Sequence, residues 1–267
     1  MKIGFIGLGN MGGSLARLVA QDDRYRDGML LANRSQEKAE KLAAEAGGQP
    51  ASNAQVFAQA DMVFLGVKPA QYAALLADYE TVLKERESLL LISMAAGLPL
   101  ATLEKLTPKQ HRWIRIMPNT PVAVGEGVIT YALSELAGQA DEDLLLEMLS
   151  AAGLLIKLEE KQLDAATALA GCGPAFVYLF MEALADAGVQ TGLARETAQQ
   201  LAVQTLLGTA KLAQASQQHP AQLKDQVCSP GGSTIAGVAS LESHAFRGTV
   251  IQAVQAAYQR TQELGKK

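Results

Sequence analysis

The stretch Gly7-Leu8-Gly9-Asn10-Met11-Gly12 has the spacing G-x-G-x-x-G, placed directly after the apolar run KIGFI and before a helical pattern. That context gives each glycine a task. Gly7 permits a tight turn, Gly9 lets the backbone approach a pyrophosphate, and Gly12 lets helix and strand pack closely. The free N–H groups and partial positive charge of the helix start suit phosphate oxygens. A glycine turn without a ligand is the plain alternative, and the strand–turn–helix context weighs against it. The end of the second strand should choose the dinucleotide. An acid there would bind the ribose 2′-hydroxyl of NAD. The sequence instead has Ala32-Asn33-Arg34-Ser35. Asn33 and Ser35 can hydrogen-bond an oxyanion and Arg34 adds a fork of donors, so a 2′-phosphate and NADP(H) are predicted. NADH is left open as an alternative reductant.

Three later strand ends fall on the same edge of the predicted sheet, where ligands of open α/β folds sit. In GVKP (66–69), Val67 can pack on adenine or ribose and Lys68 lies near the phosphates. SMAAG (93–97) and MPNTP (117–121) offer turns and small residues with space for a flat nicotinamide. A nicotinamide implies hydride transfer, and the acceptor must be found elsewhere. No Ser-His-Asp set, reactive cysteine or metal cluster stands out: Cys172, Cys228, His111, His219 and His244 are scattered. Lys157, Lys161, Lys211 and Lys224 have polar neighbours, so no lysine stands out as proton donor for a hydroxy acid. An imine acceptor relaxes that demand, because a protonated C=N is already electrophilic. The segment Cys228-Ser-Pro-Gly-Gly-Ser-Thr-Ile-Ala-Gly237 then gains meaning. Pro230, Gly231 and Gly232 turn the chain, and Ser233 and Thr234 start a helix. The N–H groups of Gly232, Ser233 and Thr234 would make a carboxylate pocket, and the Thr234 hydroxyl could reach an imine nitrogen. A simple helix cap explains the same spacing equally well.

These residues need a scaffold that puts strand ends and helix starts at one edge. Up to about residue 158 the chain alternates short apolar runs with helical patterns: strands at 2–6, 29–33, 62–67, 89–93, 113–117, 127–133 and 153–158, helices at 11–21 and 36–46, the latter capped by Ser35 and stopped by Gly47. From 159 no strand is predicted. Helices are expected at 159–171, after Pro174, and at 195–216, 221–227, 233–243 and 246–264. The fold class is therefore α/β, an N-terminal Rossmann-type doubly wound sheet (1–158) with a C-terminal all-helical domain (159–267) for dimerisation and substrate. Helices apolar on more than one face favour a homodimer over a self-contained bundle. Hydrophobic residues are 49%, charged residues 19% and the net charge is −4, which fits a packed protein without affinity for nucleic acid. No stretch reads as a signal peptide or as a membrane span, and a cytoplasmic protein is expected.

The segment LKDQVCSPGGSTIAGVASLE (223–242) resembles the signature of the pyrroline-5-carboxylate reductases. GFIGLGNMG, FLGVKP, RIMPNTP, EEKQLDAATALAGCGPAF and HPAQLKDQV extend the resemblance over nearly the whole chain. It implies NADPH-dependent reduction of 1-pyrroline-5-carboxylate to L-proline, the last step of proline biosynthesis, by a Rossmann domain and a helical dimerisation domain, often assembled as five dimers in a decamer. It also implies residue roles. Residues Gly7, Leu8, Gly9, Asn10, Met11 and Gly12 hold the pyrophosphate, and Asn33, Arg34 and Ser35 the 2′-phosphate end. Asn53, Val67, Lys68, Pro69, Ala95, Ala96 and Gly97 are further cofactor contacts, and Glu160 lies near the nicotinamide. Gln226, Ser229, Gly231, Gly232, Ser233 and Thr234 form the substrate site, with Thr234 on the ring nitrogen. The sequence departs from common members at Gln226 (Asn in some relatives), Cys228 (Ser in some) and the Gly171-Cys172-Gly173 run.

Overall fold

The computed structural model describes residues 1–264. It divides into two compact units, one formed by 1–172 with 257–264 and the other by 173–256. The sequence places the domain boundary at 158/159; by contacts alone, the segment 159–172 groups with the sheet unit.

The first unit is built on one eight-stranded sheet. Its strands are β1 (Ile3–Ile6), β2 (Met29–Ala32), β3 (Gln49–Pro50), β4 (Met62–Leu65), β5 (Leu90–Ser93), β6 (Arg112–Pro118), β7 (Gly127–Leu133) and β8 (Gly153–Lys157). They lie in the order β3-β2-β1-β4-β5-β6-β7-β8. All pairs are parallel except β6–β7. The chain winds outward from β1 to β3 and then returns to β4 on the other side of β1. That reversal opens a crevice beyond the C-terminal ends of β1 and β4, the usual ligand position in doubly wound sheets.

Side chains alternate between two apolar layers. Ile3, Phe5, Met62 and Phe64 pack with Leu15 and Val19 of the helix Asn10–Val19 on one face. Ile6, Leu30, Val63 and Leu65 pack with Val56, Phe57, Tyr72 and Leu76 on the other. Both faces are covered, which is why these strands read as continuous apolar runs. Phe5 and Phe64 stack across β1 and β4 with centroids 4.8 Å apart. β3 has only two residues, one of them proline, and such a strand leaves no periodic signal.

The second unit contains helices only. Gly173–Gln190 and Arg195–Ser216 pack through small residues, with Ala185, Ala198 and Ala202 buried. A Cβ on Gly188 would lie 3.0 Å from the Ala198 Cβ, so this approach depends on the missing side chain. Gly192, at φ +102°, ends the first of these helices. Many large apolar side chains remain exposed in the single chain, among them Leu179, Tyr178, Leu212 and Ile251. The expectation that no stretch has the apolarity of a membrane span needs correction. Within the run Glu160–Gln190 an 18-residue stretch reaches mean hydropathy 1.5, long and apolar enough by composition alone. Gly171, Gly173, Pro174, Glu182 and Asp186 interrupt it, so it contains no unbroken apolar block of that length.

Candidate active site

The glycine loop has the geometry its spacing requires. Gly7 has φ +94°, and a Cβ there would come within 2.7 Å of the Gly66 carbonyl carbon. A Cβ on Gly12 would sit 2.1 Å from the Gly7 oxygen. Gly9 is different: a Cβ there would meet nothing within 4 Å. Two glycines therefore close the turn against the sheet and the third faces open space. Gly66 completes the set. Its added Cβ would lie 2.5 Å from the Gly7 oxygen and 3.4 Å from the Gly12 Cα. By sequence its neighbours Val67, Lys68 and Pro69 stand out and Gly66 does not, since one glycine at a strand end carries no spacing signal.

The helix Asn10–Val19 starts from Gly9 with no side-chain cap and no acidic residue in its first turn. Its first free amides can therefore serve an anion. Asn33 braces the loop: its Oδ1 accepts from the Leu8 N–H at 3.0 Å and its Nδ2 donates to the Ser35 carbonyl at 3.1 Å. Oδ1 and one of the two Nδ2–H donors are thus engaged within the protein, and the second Nδ2–H is left over. Arg34 is exposed and, among the described residues, makes no hydrogen bond or ion pair. Ser35 precedes the helix Gln36–Ala46 but makes no side-chain cap bond, contrary to expectation. A free guanidinium and a free hydroxyl stand where a 2′-phosphate would bind. Asn53 is the first residue of the helix Asn53–Gln59, whose capping box is made by Ser52 and Gln55. Val67 is half-buried, while Lys68 and Pro69 are exposed. The dinucleotide fits these residues: the cradle is open at Gly9, and no carboxylate opposes a phosphate at either helix start beyond Glu37.

At the ends of β4 and β5 a buried hydroxyl relay fixes the next turn. The Tyr72 hydroxyl donates to the Leu65 carbonyl at 2.6 Å, the Ser93 hydroxyl lies 3.2 Å from it, and the Ala95 N–H donates to the Ser93 oxygen at 3.2 Å. Burial pushes the Tyr72 phenol up to about 12, so it remains a donor. The turn Ala95-Ala96-Gly97 has Ala95 packed in the core and Gly97 at φ +75°. Glu160 accepts from the Leu100 N–H at 2.5 Å and lies 3.4 Å from a guanidinium nitrogen of Arg115. Asn119, from MPNTP, donates to the Ala170 carbonyl at 3.1 Å and accepts from the Val128 N–H at 2.8 Å. Ala170 belongs to a π-helical turn, Thr167–Gly171, whose widened ladder leaves carbonyls in need of partners. Tyr72, Ser93, Arg115 and Asn119 were all missed as positioning groups. Their partners are distant in sequence, so only the sheet register reveals them.

In the second unit, the chain turns at Pro230 and Gly231 (φ +67°), and the helix Ser233–Ser243 starts from Gly232. One expectation is corrected. The Gly232 N–H donates to the Ser229 carbonyl at 3.0 Å, so it is spent on the turn. Gly232 is needed for closeness: a Cβ there would lie 2.3 Å from the Ser229 hydroxyl oxygen. The amides left without a backbone acceptor are those of Ser233, Thr234 and Ile235. Ser229, Gly231, Ser233 and Thr234 are exposed. Gln226 is exposed as well, and its amide donates to the Gln218 oxygen at 2.9 Å.

Comparison with known proteins matches residues 160–264 to the pyrroline-5-carboxylate reductase dimerisation family and residues 2–97 to the family of NADP oxidoreductases described as coenzyme F420-dependent. The chain is 40% identical to a pyrroline-5-carboxylate reductase of Glycine max, covering 98% of this chain and 95% of the relative. It is also 40% identical to one of Synechocystis sp., covering 100% and 99%. The solved structure of a pyrroline-5-carboxylate reductase from Coxiella burnetii superposes with TM-score 0.91 at 35% identity, over 100% of this chain and 99% of that one. That of the Plasmodium falciparum pyrroline carboxylate reductase with NADP bound gives 0.89 at 34% identity, over 99% and 98%. With both domains in place and relatives this similar along its entire length, the chain belongs to the pyrroline-5-carboxylate reductase family.

Proposed function

We propose that this protein reduces 1-pyrroline-5-carboxylate to L-proline with NADPH, the closing step of proline biosynthesis. The observation that carries this is the 40% identity to pyrroline-5-carboxylate reductases along the whole chain. The loop geometry supports it. Gly9 and the first amides of the helix Asn10–Val19 hold the pyrophosphate, and Arg34 with Ser35 takes the 2′-phosphate. Asn33 acts through the loop, by holding the Leu8 amide. Asn53, Val67, Lys68 and Pro69 line the adenosine side, and Ala95, Ala96 and Gly97 the nicotinamide side.

When bound, NADPH would supply a hydride to the imine carbon, and the imine nitrogen would take a proton. The protein's share is to bind and orient. The amides of Ser233, Thr234 and Ile235 receive the substrate carboxylate, with Ser229, Gly231 and Gly232 shaping the turn and Gln226 at its edge. The Thr234 hydroxyl sets the ring nitrogen. The proton comes from solvent, and no side-chain acid is assigned. A hydroxy-acid reaction would need a lysine that is free to move a proton. Lys157 is paired with Glu142 at 2.6 Å, Lys161 with Glu159 at 2.6 Å, and Lys224 with Asp225. The exposed apolar helices of the second unit are closed by a second copy, giving a homodimer, and five dimers assemble as a decamer. NADH serves as a poorer donor, because it offers nothing to Arg34.

The test is NADPH oxidation with 1-pyrroline-5-carboxylate, followed by proline detection, beside an NADH control. Thr234→Ala should lower kcat about a hundredfold and leave NADPH affinity unchanged. Unaltered turnover in that variant would remove Thr234 from the reaction. Failure of the wild type to form proline, in a sample that binds NADPH, would remove the substrate.

A further inference from the structure

The cofactor and substrate loops do not account for one buried charge cluster. Arg115 lies on β6 beside Ser93 of β5. Its side chain is only 3% exposed. One terminal nitrogen donates to Asp164 Oδ1 at 2.9 Å, and the other lies 3.4 Å from Glu160 Oε1. The Nε–H is buried with no hydrogen-bond partner among the described residues. An interior cation with an unsatisfied donor is costly, and apolar packing would hold the same place more stably. Stability alone therefore gives no reason for this arginine.

The connections of Glu160 give one. Its Oε1, besides facing Arg115, accepts the Leu100 N–H at 2.5 Å. Leu100 opens the helix Leu100–Leu103 and closes the turn that carries Ala95, Ala96 and Gly97. The near end of that turn is tied by the Ala95 N–H to the Ser93 oxygen. The turn is thus pinned at both ends from the sheet. One pin is the hydroxyl relay on β5. The other runs from β6 through Arg115 and Glu160, and Asp164 stops the guanidinium from swinging away.

We propose that Arg115, with Asp164, is a positioning residue for hydride transfer: it fixes the Glu160 carboxylate on the Leu100 amide and so sets the turn 95–97 against the nicotinamide. This rests on the functional reading above. Hydride transfer is sensitive to small displacements between donor and acceptor carbons, so a shift in the turn reads out in kcat more than in adenosine-end binding.

Three quantities test this in the full-length protein: kcat with the imine, affinity for adenosine 2′,5′-bisphosphate, and exchange of the Leu100 amide measured without substrate. Arg115→Met should lower kcat about tenfold or more and speed Leu100 exchange by a similar factor. Binding of the bisphosphate should stay within about twofold, because that end of the site is untouched. Arg115→Lys keeps the charge but cannot hold two carboxylates, and should fall between. If Arg115→Met does not fold, Asp164→Asn carries the test, since it removes one anchor and leaves the Leu100 acceptor in place. Unchanged kcat per folded molecule in both Arg115→Lys and Asp164→Asn would overturn the proposal. So would faster Leu100 exchange without loss of turnover. A wild type that forms no proline, with Leu100 protection still dependent on Arg115, would overturn the functional reading and leave the clamp standing.

Discussion

The two units bury their apolar residues in opposite ways. In the first, β1, β2, β4 and β5 are buried at every position, and both faces of the sheet are covered by helices of the same unit. In the second, the core cluster is three alanines, while Leu179 is 68% exposed and Ile251 58%. One unit completes its core with its own residues. The other leaves large apolar side chains open to water in the single chain. The difference assigns the units different work: the sheet fixes strand ends against a cofactor, and the helices are shaped for another copy of themselves.

The sharpest way to break that contrast is to place a charge on the exposed helical face. Leu179→Asp together with Ile251→Asp should weaken dimer association by about a thousandfold, seen by analytical ultracentrifugation, because each carboxylate would be buried unpaired. A self-contained helical unit would tolerate both. Next in size is Gly12→Ala, whose Cβ would meet the Gly7 oxygen at 2.1 Å. It should cost about 3 kcal/mol in the first unit and abolish NADPH binding, with the helical association intact. Tyr72→Phe removes the hydroxyl that serves Leu65 and Ser93. A loss of about 1–2 kcal/mol is expected by denaturant titration. The smallest effect concerns His111. Its Nε2 must donate to the Leu83 carbonyl at 3.0 Å, and its Nδ1 is buried without a partner among the described residues. Burial, with Arg86 and Arg112 nearby, holds it below its usual 6.5. Unfolding therefore takes up a proton in that range. The contribution of a neutral His111 is fully present above about 6.5 and fades as pH falls toward the folded value. His111→Gln should flatten the thermal midpoint between neutral and mildly acid pH, and an unchanged slope would exclude the histidine as its source.

Much of this architecture is legible in the sequence because the signals are local. The β1–turn–helix unit is marked by three glycines, and the helix Gln36–Ala46 by its stop at Gly47, which has φ +93°. Other features depend on what lies across the sheet. Whether Asn33 meets a phosphate or the Leu8 amide cannot be told from Ala-Asn-Arg-Ser; the β1–β2 register decides it. The Gly232 amide looks free by spacing, but the turn to Ser229 consumes it. Arg115 sits in an apolar strand with no partner nearby in sequence, and both its carboxylates come from 45 residues or more downstream. The segment 159–171 reads as one helix. It forms instead a 3₁₀ turn, a short α-helix and a π turn, where Glu160 bonds to the Leu100 amide, Asp164 to Arg115 of β6 and Ala170 to Asn119 just beyond that strand.

The apolar helical face also bears on how the protein responds to dilution. When a second copy is needed to cover it, mass action links the folded state to total protein. The thermal midpoint should then rise with each tenfold increase in sample, and a dilute assay would begin to measure dissociation as well as chemistry. In a cell, the amount of chain made would help decide how much of it stays assembled.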